Sequence, residues 1–153
     1  MEIDEITVSK AITESFMKDF LGAMEVDVAI AGAGPAGMTA GYYLAKEGVK
    51  TVAFERQLRV GGGMPGGGMM FNRIVVQEEG KRLLDEFDVQ SRLYKKGYYI
   101  ADSLEAISTI CSKAIKAGVK IFNLVSVEDV VIREDDRIAG LVLNWRATSL
   151  AGL

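Results

Sequence analysis

The chain has 153 residues, 49% of them hydrophobic and 25% charged, with 18 Lys and Arg against 21 Asp and Glu for a formal net charge of -3. This is the balance of a globular domain, and it lacks the cationic excess needed to hold a phosphate backbone, so nucleic acid is not an expected partner. With no His and one Cys, Cys111, the sequence leaves no internal disulfide, no Ser-His pair and no cluster of soft metal ligands.

The N-terminus carries Glu2, Asp4 and Glu5, unlike the basic start of a secretory signal. Its apolar runs fall short of the roughly 20 residues that cross a bilayer, so no membrane partner is expected and the cytoplasm is the expected location. From Ile6 to Leu21, Val8, Ile12, Phe16, Phe20 and Leu21 recur at helical spacing, which predicts an amphipathic helix within an N-terminal unit, residues 1–24. The run "VDVAIAG", Val26 to Gly32, reads as a buried parallel strand. A helix follows through Tyr42, Tyr43 and Leu44, with Gly48 as its stop, and "KTVAFE", Lys50 to Glu55, is a second strand.

Beyond the ten-residue stretch "GGGMPGGGMM", Gly61 to Met70, the residues Ile74, Val75, Leu83, Leu84 and Phe87 are expected on one helical face. Tyr98 to Ala101 reads as a short strand. Asp102 or Ser103 then caps a helix that Gly118 closes. Cys111, among Ile107, Ile110 and Ile115, is expected to be a buried structural thiol. The β-branched "VKIFNLVSVEDVVIRE", the turn at Asp135 and Asp136, and "RIAGLVLNW" end the pattern as a β-hairpin. The fold class is therefore α/β: a Rossmann-like FAD/NAD(P)-binding fold with a parallel sheet and a β-hairpin or meander. Residues 25–153 form an incomplete dinucleotide-binding domain, because the chain stops at "ATSLAGL" without a closing parallel strand.

The chemistry concentrates in "GAGPAG", where Gly32, Gly34 and Gly37 hold the G-x-G-x-x-G spacing between a predicted strand and a predicted helix. The first glycine permits the tight turn, the second lets backbone approach a pyrophosphate, and the third allows close packing of helix on strand. Glu55 ends the next strand close to the roughly 20-residue offset at which an acidic residue accepts from ribose hydroxyls. A carboxylate there favours a free 2'-hydroxyl over a 2'-phosphate. Arg56 beside it pairs with Glu55, stacks on adenine or touches phosphate. A helix N-terminus contributes up to about 2 kcal/mol, against the roughly 8 that micromolar binding requires, so further contacts are expected from the Gly/Met stretch. That stretch is read as a lid, with Gly63 admitting the ligand to backbone and Met64, Met69 and Met70 forming adaptable apolar walls.

The segments "VDVAIAGAGPAGMTAGYYLAKEG", "FERQLRVGGGMPGGGMMFNRIVVQEE", "GYYIADSLEA", "AGVKIFNLVSVEDVVIRE" and "GLVLNW" together closely resemble the N-terminal portion of the prokaryotic thiamine thiazole synthase family, from about Glu25 to Leu153. The resemblance implies thiamine biosynthesis by a flavoprotein-like fold that takes NAD as a substrate. Nicotinamide is lost, glycine condenses with the ADP-ribose, and sulfide with ferrous iron completes an ADP-linked thiazole carboxylate. It implies a homo-oligomer, typically an octamer, and carries dinucleotide contacts over to Ala36, Glu55, Arg56, Gly63 and Val127. Pro65 departs from the family pattern, in which a bulky aromatic is expected. The iron ligands and the groups that recognise glycine are implied beyond Leu153, so the catalytic residues are not assigned and no metal ligand is assigned within the chain. Two other behaviours stay open at this point: a catalytically inactive dinucleotide-binding fragment, and an FAD-dependent oxidoreductase.

Overall fold

The computed structural model describes residues 3–152; Met1, Glu2 and Leu153, the ends of the two expected units, lie outside them. Three parallel strands form the central sheet: β1 (Val28–Ala31), β2 (Thr51–Glu55) and β6 (Lys120–Asn123), in the order β1-β2-β6. Every residue of β2 is buried, as a central strand covered on both faces must be. Its alternation divides the interior: Ala53 joins one apolar cluster with Met38, Phe87, Ile110 and Val119, while Val52 and Phe54 join Phe122 and Val125 in a second.

The first cluster is covered by α2 (Pro35–Lys46) and α4 (Ser103–Ala117). Phe87, only 1% exposed, anchors it, and burial of such a side chain contributes about 1.5–3 kcal/mol. Asp102 caps α4 by accepting from the amides of Leu104 at 2.8 Å and Glu105 at 3.1 Å, and Gly118 ends the helix in the left-handed region. Cys111 is half-buried against this cluster, and desolvation pushes its thiol pKa up.

The second cluster is met by α1 (Glu5–Gly22) and by the antiparallel hairpin of β7 (Val125–Ile132) and β8 (Ile138–Trp145), after which α5 (Arg146–Leu150) follows. The expected helix at the start is present, yet it buries none of its residues fully. Its attachment is aromatic: Phe20 meets Phe122 edge-on at 5.2 Å between centroids and lies 5.6 Å from Trp145.

The segment Ile74–Phe87 corrects the expectation of one helix. Arg73–Val76 is a strand, β3, and only Glu78–Glu86 is helical, as α3. β3 pairs with β5 (Tyr98–Asp102), which also pairs with β4 (Ser91–Lys95), giving a second antiparallel sheet in the order β3-β5-β4. A partner strand from 25 residues downstream outweighs the helical spacing of Ile74 and Val75, and their β-branched side chains suit the pleat. The "VKIFNLVSVEDVVIRE" segment is likewise two strands, broken at Leu124 with φ 58°. There the chain leaves the parallel sheet for the hairpin.

Candidate dinucleotide site

The turn between β1 and α2 is built by contact as much as by conformation. A Cβ placed on Gly37 would stand 2.3 Å from the carbonyl oxygen of Gly32, so only glycine lets α2 pack that closely. Ala33, fully buried within the turn, is held from both sides. Its N–H donates to Glu55 Oε2 at 2.9 Å, and its carbonyl accepts from Gly61 N–H at 2.8 Å. Gly34 caps α2 without a side-chain bond, and Pro35 occupies the first turn, so the positive end of the helix faces open space.

That space is a cavity of about 830 Å³. Gly32, Gly34, Ala36, Gly37, Glu55, Arg56, Gly63 and Val127, the eight positions singled out in the sequence, all line it. The glycine turn and the start of α2 form one wall, the end of β2 and the loop after it another, and the start of β7 a third. The cavity lies at the carboxyl ends of the parallel strands, where open α/β sheets take ligands.

Glu55 is 6% exposed, buried rather than solvated at the strand end. Oε1 accepts from Gln57 N–H at 2.8 Å and Oε2 from Ala33 N–H. No ion pair with Arg56 forms among the described residues. An ionised carboxylate has about four acceptor positions; two hold the surrounding backbone, and the others remain for donors in the cavity.

Arg59, Gln57, Gly62 and Ser126 also line the cavity, and the sequence reading did not select them. The second basic residue in "ERQLR" was the available signal for Arg59. Ser126 is buried, its hydroxyl lying against Glu128 and 3.3 Å from the Asn144 carbonyl oxygen. Nothing local in the sequence marks it out.

The lid reading of the methionines does not hold. Met64 lines a separate apolar cavity of about 420 Å³, which shares Ala36 with the first. Met69 and Met70 are 86% and 88% exposed, both in the left-handed region, and neither lines the larger cavity. The turn that directs them depends on Gly67, where a Cβ would fall 2.0 Å from the carbonyl oxygen of Phe71. Cys111 lines neither of these cavities. Among the described residues, no three His, Cys, Asp or Glu side chains gather as a metal ion would require. No described helix is long and apolar enough to cross a membrane.

A profile of the Thi4 family matches residues 9–152. The thiamine thiazole synthase of Methanothermobacter thermautotrophicus is 60% identical over 153 residues, covering 100% of this chain and 59% of that protein. That of Pyrococcus furiosus is 56% identical over 151 residues, covering 99% of this chain and 60% of the relative. The crystal structure of THI4 from Thermovibrio ammonificans superposes with a TM-score of 0.97 at 50% identity, over 100% of this chain and 60% of that one. A geranylgeranyl bacteriochlorophyll reductase-like protein from Thermoplasma acidophilum, 20% identical with a TM-score of 0.56, covers 77% of this chain and 34% of its own, a likeness of fold alone. The chain thus spans about 60% of the length of the curated relatives it matches.

Proposed function

The chain belongs to the Thi4 family, and from that premise we propose that it supplies the NAD- and ADP-ribose-binding portion of an enzyme of thiamine thiazole biosynthesis. The observation that carries the proposal is the convergence on one cavity of the glycine turn, the start of α2, which no side chain caps, and the carboxylate of Glu55. The helix terminus suits a pyrophosphate and the spare acceptors of Glu55 suit ribose hydroxyls, while a 2'-phosphate beside the same carboxylate would be repelled. NAD enters as a substrate that donates ADP-ribose. Glycine and sulfide are the co-substrates of the complete enzyme, a transferase.

Ferrous iron belongs to the proposed reaction; the described residues offer no group of three His, Cys, Asp or Glu side chains, and its ligands are proposed to lie in the part of the relatives' length that this chain does not span. For the 153 residues by themselves, the proposed behaviour is binding without turnover. A homo-oligomer, an octamer in the complete enzyme, a cytoplasmic location and a separate N-terminal unit at residues 1–24 belong to the same proposal. Light scattering on the eluting protein tests the assembly.

The deciding experiment is to denature the purified protein and weigh the chain and any released ligand, then to supply NAD, glycine, sulfide and ferrous iron to the full-length gene product. An ADP-ribose-type ligand and an ADP-thiazole product are expected. A released flavin with flavin absorbance, or failure to bind any adenine dinucleotide, overturns the reading.

A further inference from the structure

We propose that Arg59 recognises phosphate in the larger cavity, making affinity depend on the phosphate groups of the ligand rather than on its base; the inference rests on the dinucleotide reading of that cavity. The cavity wall carries two guanidiniums, Arg56 and Arg59, and one carboxylate, Glu55. Neither arginine takes part in an ion pair among the described residues, although Arg73 and Arg137 do. Glu55 accepts from the amides of Ala33 and Gln57 and forms no ion pair among the described residues, so its one charge is set against two guanidiniums. The wall is therefore net cationic, and its charge adds to the positive end of α2.

Position separates Arg59 from Arg56. Arg56 directly follows Glu55, at the ribose end. Arg59 stands on the strip that runs from there to the glycine turn, and that strip is fixed on both sides. Before it, Asn123 Nδ2 donates to the Leu58 carbonyl at 2.7 Å and Leu124 N–H to the Gln57 carbonyl at 3.3 Å. After it, Val60 packs on the main core and Gly61 N–H bonds Ala33. A Cβ on the next residue, Gly62, would lie 3.6 Å from Gly34 Cα, so the strip ends against the turn where a pyrophosphate would rest. A guanidinium on a fixed backbone loses less freedom when it binds, and its planar fork matches two phosphate oxygens at once. An arginine serving only to solvate the surface needs neither the cavity nor the double anchoring.

Calorimetric titration of the unmutated protein, Arg59→Gln and Arg59→Lys with ADP-ribose, AMP and adenosine tests this, at low and at physiological salt. Arg59→Gln is expected to weaken ADP-ribose by roughly tenfold or more, the scale of a lost hydrogen bond to a charged group, and to leave adenosine within about twofold. Arg59→Lys keeps part of the affinity as a point charge, and salt weakens ADP-ribose binding to the unmutated protein more steeply than to Arg59→Gln. Equal losses for adenosine and ADP-ribose, or no loss for either, overturn the assignment. If the unmutated protein fails to bind ADP-ribose, the dinucleotide reading falls and this inference falls with it, an outcome visible before any substitution is compared.

Discussion

Removing the acceptor power of Glu55 should unsettle the fold before it affects a ligand. Its carboxylate receives one N–H from Ala33, a residue with no exposed surface, and one from Gln57, which is exposed. Hydrogen bonds to a charged acceptor contribute about 1.5–3 kcal/mol each, and a buried donor left without a partner costs about 1–3 kcal/mol. In Glu55→Gln the single amide oxygen is expected to stay with Ala33, while water takes over the Gln57 amide. The net loss is then about 1.5 kcal/mol, or roughly 3–6 °C in melting temperature for a chain of this size. In Glu55→Ala the Ala33 amide has no replacement acceptor, and the loss rises to about 3 kcal/mol or more.

Thermal unfolding without added ligand measures both variants, and the order Glu55→Ala below Glu55→Gln below the unmutated protein is the expected result. Were Glu55 only a ribose acceptor facing the cavity, both variants would melt with the unmutated protein and lose ADP-ribose affinity alone. A Glu55→Ala melting temperature within about 1 °C of the unmutated value, where roughly 2–4 °C accompanies each kcal/mol, would refute the reasoning.

Two glycines of the same motif should separate in the same assay. Gly37→Ala forces a methyl to 2.3 Å from the Gly32 carbonyl oxygen and is expected to cost about 1–3 kcal/mol as α2 shifts, whereas Gly34→Ala, with no atom within 4 Å, should melt normally and weaken ADP-ribose binding in calorimetry. Asp102→Ala should lower the melting temperature by removing the cap of α4. The amides of Glu105 and Leu104 and the charge of Arg73 hold the Asp102 carboxyl below its ordinary pKa. Its stabilisation is therefore present in full above the unfolded value of about 3.9 and lost as pH falls through the lower folded one; the variant's melting deficit, read at pH 7 and near pH 3, should shrink in acid. Alkylation of Cys111 by iodoacetamide should be slower than that of free cysteine at the same pH and should accelerate in denaturant, because burial raises the thiol pKa; equal rates would contradict its half-buried placement.

What could be read from sequence follows the range over which the determining forces act. The unit from Val28 to Glu55 was legible because an apolar strand, a glycine turn, a helix start and a second strand follow one another along the chain, and the two strands pair with each other directly. Ile74, Val75 and Val76 were not, because their choice between helix and strand is made by β5, which sequence spacing does not reveal. The Gly/Met stretch was correctly placed beside the cavity through Gly63, yet its methionines point elsewhere. Two consecutive left-handed Met residues contradict ordinary backbone preference, and that preference was the only guide available before folding.

Leu124 explains the remaining gap. As one continuous β-branched run, Val119 to Glu134 would keep its residues in a single sheet. The left-handed turn at Leu124 instead ends pairing with β2 and starts pairing with β8, with Leu124 N–H donating to Gln57 and its carbonyl accepting from Arg146. That break brings Ser126 and Val127 onto the cavity and ties the loop bearing Arg59 to the same point. The third wall of the site is thus made by a residue that carries no chemistry of its own, so the glycine motif alone locates the cavity without enclosing it.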